Sequence, residues 1–332
     1  MTIQLTVIGL NRIGVSIGLA LQSNSQQIER VGSDIDILAE QKAMKLKAFD
    51  KVIHNIPAAV ENADIVVLSV PVDELRYTLE IICPLLKPSA VILDTSPLKV
   101  AVFEMVKHIL PEERYLVAFS PSLNPAFLPD NDESIEKASP DYFRNGLFVI
   151  CAPPDTHPDA IKLAGDLASL LGGKTYFADP FEADGLIGMT DLLPSLASVA
   201  LMRAATNQPG WIEARKLASR NFYGMTDPIV HINEQTNFGQ YALLNSDNAA
   251  RLLDALIGEL DDLREMILNQ DDESLNQVLQ AALNDRLAWW KTRQEGTWEK
   301  TAETPPLPTA GQMLGRMFGL GRRRKDPGKD QR

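Results

Sequence analysis

The sequence predicts an α/β domain built on a parallel sheet, followed by an all-α domain, and three observations carry that prediction. Short, nearly continuous apolar runs alternate with helical stretches over the first 178 residues. Gly9, Gly14 and Gly18 follow the first such run, where it passes into the first helix. Beyond about residue 180, strand patterning gives way to apolar residues spaced by three and four. At 332 residues the chain exceeds the roughly 250–300 at which a single core stops growing, so two domains and a tail are expected, at residues 1–178, 179–295 and 296–332.

Taken in order, residues 3–8 form the first strand, 13–23 a helix, and "ERVGSDID" a second strand ending at Asp34, which together make a β-α-β unit. A helical "ILAEQKAMKLKAF", a strand "ADIVVLSVP", a helix over residues 73–85 and a strand "AVILDTS" follow. Strands apolar on both faces belong in a parallel sheet covered on both sides. "RYLVAFSP" and "GLFVICAPP" continue the pattern, and "HPDAIKLAGDLASLLGGKTYFADP" adds a last helix and strand. In the second half, "LIGMTDLLPSLASVALM" reads as a helix kinked by Pro194. Leu252, Leu253, Leu256, Ile257, Leu260, Leu263, Met266 and Ile267 then recur on one helical face behind a Ser246 cap. A further helix follows Asp271 and Asp272, with Leu275, Val278, Leu279, Ala282 and Leu283 on one side. Such faces need a partner surface, which a homodimer provides.

Apolar residues at 45% and charged residues at 23% are the balance of a globular protein. Net charge is −12, and residues 301–332 hold seven Lys/Arg against three Asp/Glu, so the body is more acidic still and argues against a nucleic-acid partner. "ETPPLPTAG" and the segment after it read as a flexible basic tail; membrane contact through its Met, Leu, Phe and Arg residues is ranked last, because the segment is short and glycine-rich. "MTIQLTVIGL" has no basic n-region or cleavage-like site, and no apolar run is read as approaching the roughly 18 residues of a spanning helix, so a cytoplasmic protein is expected. Cys83 and Cys151 read as buried thiols. His54, His108, His157 and His231 show no metal-ligand spacing, and no metal is expected.

"VIGLNRIGVSIGLAL" nearly spells G-x-G-x-x-G, the loop in which one glycine permits a tight turn, the next lets backbone approach a pyrophosphate, and the last lets helix and strand pack closely. Asn11 stands at the close-approach position. The pattern follows a strand, opens a helix and is succeeded by Asp34 at the end of a strand, which makes an α/β Rossmann-type domain the expectation. Gly9, Leu10, Asn11, Arg12, Ile13 and Gly14 are expected to cradle the pyrophosphate and Asp34 to hold the adenosine ribose. No Arg follows Asp34 to receive a 2′-phosphate, so NAD is favoured over NADP. "GVSIG" fits a nucleophile elbow, but Ser16 falls in the first helical turn; "SPLK" fits S-x-x-K without the accompanying motifs. Neither is read as a nucleophile.

"VIGLNRIGVSIGLAL", "VVLSVPVDEL", "VILDTSPLKV" and the helical second half together resemble the prephenate dehydrogenase family, over residues 3 to about 290. The resemblance implies a nucleotide-binding domain, a helical dimerisation domain, and oxidative decarboxylation: hydride leaves the ring carbon bearing the hydroxyl for NAD(P), carbon dioxide departs and the ring becomes aromatic. It also implies that Val70, Pro71 and Ser96 line the nicotinamide side. The family's base is a histidine; in the matching block, "VAFSPSLNP", Ser120 takes its place. Serine is too weak a base unaided. Pro97 replaces the serine of a D-x-x-S-x-K block that keeps Asp94 and Lys99, with Ser96 one place early. An H-D pair appears as Ala183 and Asp184, an S-H-x-P-H block as "DLLPS", and Phe222 stands where an arginine would bind a substrate carboxylate, five residues before Asp227 and Pro228, with Arg220 nearby. The catalytic candidates are therefore Ser120 and Ser96. The expected function is a prephenate dehydrogenase-like NAD-dependent oxidoreductase acting on prephenate or a related small acid, in tyrosine biosynthesis; the rival is a non-catalytic dinucleotide-binding dimeric scaffold that has lost the chemistry.

Overall fold

The computed structural model describes residues 2–230, 232 and 237–296. His231, the tail from residue 297 onward and the membrane reading attached to that tail lie outside the described residues. Among the described residues the first half is a sheet of eight strands: β1 (Ile3–Ile8), β2 (Ile28–Ser33), β3 (Lys51–Val52), β4 (Ile65–Leu68), β5 (Val91–Asp94), β6 (Tyr115–Ser122), β7 (Leu147–Cys151) and β8 (Lys174–Phe177), in the order β3-β2-β1-β4-β5-β6-β7-β8. Helices α1 (Arg12–Ala20), α2 (Ile37–Lys45), α3 (Ile56–Val60), α4 (Val72–Ile82), α5 (Val100–Val106) and α6 (Pro158–Leu170) connect them.

Alternate residues of the central strands feed two apolar layers. Val67, Leu93, Val117 and Phe119 face one layer with Val15 and Leu167, while Val66, Leu68, Ile92 and Leu116 face the other with Leu75 and Leu79. Each large side chain so buried contributes about 1.5–3 kcal/mol, which is why these strands are apolar on both faces. The sheet is not wholly parallel: β7 runs antiparallel to β6, Ser120 facing Val149, and β8 is parallel to β7. The purely parallel expectation is corrected there. An apolar run carries no mark of its direction, and the long connection over residues 123–146 returns the chain to the same end of the sheet from which β6 departed.

The strand order reverses between β2 and β4, on either side of β1, and ligands of open α/β sheets bind outside the carboxyl ends at such a point. The glycine loop leaves β1 there.

The second half is helical: α7 (Pro180–Ile187), α8 (Leu193–Thr206), α9 (Trp211–Ala214), α10 (Arg220–Thr226), α11 (Phe238–Leu244), α12 (Ser246–Leu268) and α13 (Asp272–Glu295). A π-helical turn at Gly188–Leu192 joins α7 to α8 just before Pro194, accommodating a residue with no amide hydrogen to give. Residues 180–206 thus form one continuous helix of 27 residues with a window of mean hydropathy 1.5, of which 17% is buried. This corrects the reading that no apolar run approaches spanning length. Asp271 caps α13, accepting from Ser274 N; the expected Ser246 cap is corrected, since α12 begins at Ser246 itself with Asn245 as its N-cap residue. The apolar face of α12 leaves Ile257, Leu260 and Ile267 at least half exposed in a single chain, as α13 leaves Leu279 and Leu283.

Candidate active site

Gly9 adopts φ +91°, and a Cβ placed on it would lie 2.1 Å from Ser69 O; one on Gly14 would lie 2.1 Å from Gly9 O. Both positions require glycine, and together they bring the end of β1, the start of α1 and the end of β4 into one tight junction. Beside it opens a cleft of about 540 Å³, lined among others by Gly9, Leu10, Asn11, Asp34, Val70 and Pro71.

Asn11 is the N-cap of α1. Its Oδ1 accepts from Gly14 N at 3.0 Å and from Ser69 Oγ at 2.8 Å, while its Nδ2 donates to Ser69 O at 2.9 Å. The side chain is therefore held by three hydrogen bonds, two of them to Ser69 just after β4. Asparagine is among the strongest N-cap residues, so its place in the motif has a structural cause. Replacing it is expected to cost stability rather than improve the site: Asn11→Gly should lower the denaturation midpoint, by about 1 kcal/mol for the lost bonds, without tightening NAD binding in a calorimetric titration.

The predicted cradle is narrower than residues 9–14. Leu10 N donates to Asp34 Oδ2 at 2.6 Å and Gly14 N is capped by Asn11, so neither amide is open to a pyrophosphate. The amides of Arg12 and Ile13, in the first turn of α1, have no partner among the described residues. The Arg12 side chain is 1% exposed and turned away: its guanidinium donates to Asp132 O, pairs with Asp130 at 3.4 Å and lies 4.6 Å from the Tyr142 ring centroid. It ties α1 to the 123–146 connection, whose Asp132, Glu133, Ser134 and Ile135 form the far wall of the cleft. Asn131 of the same connection donates to Asp227 Oδ2, reaching the helical half.

Asp34 also accepts from Asp36 N at 2.8 Å through Oδ1. With one backbone amide on each oxygen, the carboxylate retains lone pairs for the two hydroxyls of a ribose. The same negative charge opposes a 2′-phosphate, and Lys42, which also lines the cleft, is paired with Glu136 at 2.9 Å. Glycine junction, open first-turn amides and carboxylate fit a dinucleotide, and NAD rather than NADP.

Val70 and Pro71 line the cleft, but Ser96 does not appear on its wall. Ser96 Oγ donates to Asp94 Oδ2 at 2.6 Å, and Ser96 N to Asp94 Oδ1 at 3.1 Å, so its hydroxyl holds the turn after β5 together. Because Asp94 is opposite Ala118 in the β5–β6 ladder, the chain two residues further on brings Ser96 beside Ser120. Ser120 Oγ donates to Ser96 O at 2.5 Å, and Lys99 Nζ donates to both Ser96 O and Ser120 Oγ, each at 2.5 Å. Lys99 is fully buried; its charge is opposed by burial, which lowers its pKa, against the pull of Asp94 and Asp184. Burial raises the pKa of Asp94 and of Asp184.

Asp184, on α7, accepts Lys99 N at 2.6 Å through Oδ1 and Val100 N at 3.1 Å through Oδ2, while its own carbonyl accepts from Asn245 Nδ2. The helical half thereby fixes the turn that carries Lys99. Ala183 is buried and packs with Ala118 and Cys151. Phe222 lies tilted against Trp211 with ring centroids 5.7 Å apart, and Arg220 is exposed at the start of α10. Two cations had been given no role from the sequence: Lys99, and Arg293 of α13, which is buried and donates to Ser122 Oγ at 3.0 Å, two residues along β6 from Ser120. Only the lysine had a signal, its place in the D-x-x-S-x-K-like block.

Residues 17–177 match the nucleotide-binding domain of prephenate dehydrogenase, and residues 179–281 its dimerisation domain. The cyclohexadienyl dehydrogenase of Zymomonas mobilis is 25% identical over 292 residues, covering 86% of this chain and 95% of that protein. The prephenate dehydrogenase of Bacillus subtilis is 22% identical over 282 residues, 84% of this chain and 74% of its own length. Among solved structures, prephenate dehydrogenase from Aquifex aeolicus in complex with hydroxyphenyl propionate and NAD+ superimposes with a TM-score of 0.76 at 20% identity, covering 87% of this chain and 98% of that one. Arogenate dehydrogenase from Synechocystis gives 0.70 at 23% identity, covering 86% and 100%. The fold, the dinucleotide cleft and both domain matches agree: the chain belongs to the prephenate dehydrogenase family of NAD-dependent dehydrogenases.

Proposed function

We propose that this protein oxidatively decarboxylates prephenate, or a closely related cyclohexadienyl acid such as arogenate, with NAD, as a cytoplasmic homodimer. The observation that carries the reading is the alignment, along one rim of the sheet, of the glycine junction with Asp34 at one end and the Ser96–Lys99–Ser120 cluster at the other. Arg12 and Ile13 amides would hold the pyrophosphate and Asp34 the ribose, with Val70 and Pro71 toward the nicotinamide. Bound there, NAD supplies the acceptor for the substrate's hydride. Ser120, near the C-terminal end of β6, is the residue proposed to meet the ring hydroxyl, while Ser96 supports it by holding Asp94 and the turn in place.

The scaffold alternative is not favoured. The family match extends through both domains, and the position without the histidine is backed by a buried amine instead of being filled by apolar packing. The dimerisation-domain match and the exposed apolar rows of α12 and α13 support a second copy as the partner. A metabolic reaction drawing on free NAD and a small acid accords with the cytoplasm.

The test is NADH formation on adding prephenate or arogenate, alongside calorimetric NAD binding and molar mass by light scattering. The expected result is turnover of at least one of the two acids by a dimer. NAD binding without turnover would return the scaffold reading.

A further inference from the structure

We propose that Lys99 is the terminal proton acceptor of the reaction, working through Ser120, so that a lysine–serine relay does the task the family's histidine performs elsewhere. The inference rests on the dehydrogenase reading above and names how that site moves its proton.

Three observations support it. First, Lys99 Nζ is 2.5 Å from Ser120 Oγ, at the one position where the family resemblance calls for a base. Second, the polar contacts of Nζ are uncharged, Ser96 O and Ser120 Oγ, because the neighbouring carboxylates are engaged elsewhere: Asp94 with Ser96 N and Oγ, Asp184 with the amides of Lys99 and Val100. Third, Lys99 is 0% exposed while Ser120 is 7% exposed, so a substrate hydroxyl can reach the amine only by way of the serine.

The cluster holds two protonation states without moving a heavy atom. A neutral amine donates one N–H to Ser96 O and takes the Ser120 hydroxyl proton on its lone pair; an ammonium donates to both oxygens. The groups facing Nζ are Asp94 from β5, Asp184 from α7 and the Cys151 thiol from β7, which burial keeps neutral by raising its pKa to about 11. Burial of Lys99 favours the neutral amine, the two carboxylates oppose it, and the result is a lysine below its ordinary range, as a general base near neutral pH requires.

The chemistry balances. The substrate O–H bond breaks as that proton bonds to Ser120 Oγ, and the proton already on Ser120 passes to the lone pair of Lys99 Nζ. The hydroxyl carbon becomes a carbonyl carbon as its hydride departs toward the nicotinamide, the oxidant of the proposed function. When the carboxylate leaves as carbon dioxide, the electrons of its C–C bond enter the ring and the carbonyl pair returns to oxygen. The proton then comes back along the same two steps, giving the phenol and a neutral lysine.

The test combines kcat–pH profiles of the wild type, Lys99→Met and Ser120→Ala with a titration of ¹³Cε-labelled lysine by NMR in the protein without cofactor. Wild-type kcat should fall as pH drops through the Lys99 pKa. Both variants should lose roughly 10²- to 10⁴-fold in kcat with KM little changed, and Lys99→Met should lose the acid limb. The Lys99 resonance should titrate below the ordinary value of about 10.4 and move when Ser120 becomes alanine. Wild-type kcat in Lys99→Met, or a Lys99 resonance titrating at its ordinary value, overturns the relay. Should Lys99→Met fail to fold, Ser120→Ala and the resonance decide. Absence of any turnover by the wild type marks failure of the dehydrogenase reading; the lysine titration then decides whether an amine–hydroxyl pair exists.

Discussion

Gly9→Ala is expected to lower stability by about 2–5 kcal/mol and to abolish measurable NAD binding. Two costs add. A residue with a Cβ at φ +91° adopts the left-handed region at about 1–2 kcal/mol. The new carbon would sit 2.1 Å from Ser69 O, so the end of β4 must shift, an overpacking that costs about 1–3 kcal/mol. The displacement would pass to the cofactor directly. Ser69 Oγ and O hold Asn11, and Asn11 caps the helix whose first amides face the cleft. Denaturant unfolding and calorimetric titration of the same preparation check both effects. NAD affinity close to wild type would show that the loop is not the pyrophosphate site.

The second large effect is expected at the junction of the two halves. Asp184→Ala should destabilise the protein by about 2–6 kcal/mol, since the buried amide of Lys99 and the part-buried amide of Val100 lose a carboxylate partner at about 1–3 kcal/mol each. It should also lower kcat by roughly 10²-fold, the scale of loss when a reacting group is misplaced by about 1 Å, because the turn bearing Lys99 is no longer fixed from α7. Asp184→Asn keeps one acceptor and should fall between the two. Unfolding curves and steady-state rates on both variants decide the matter: loss of stability with full kcat would mean that α7 supports the fold but does not set the position of Lys99.

How far the sequence revealed these features follows from how each is encoded. The strands were legible because burial on both faces leaves unbroken apolar runs, and Asp34 because it closes one of them. The direction of β7 was not legible, since apolarity has no polarity along the chain. Asn11 read as a defect in a glycine motif; its helix-capping role was available from residue type alone, but the bonds to Ser69 depend on β4 lying beside β1, 58 residues away in sequence. The Lys99–Ser120 pair was hidden in the same way. Its members are separated by 21 residues and meet through the register of β5 against β6. For Ser96 the sequence shows that it follows a strand, without showing that Asp94 holds its hydroxyl.

The reversal at β7 has a consequence for how this enzyme can change. Because the excursion between β6 and β7 departs from and returns to a single rim, it can lengthen, shorten or alter its charge without threading past the sheet or shifting any ladder. That excursion carries both the anchor on Arg12 and the reach to Asp227. Remodelling one surface loop would therefore reset the clearance above the coenzyme and the tilt of the helices together, offering a route to new substrates that leaves the folding core untouched.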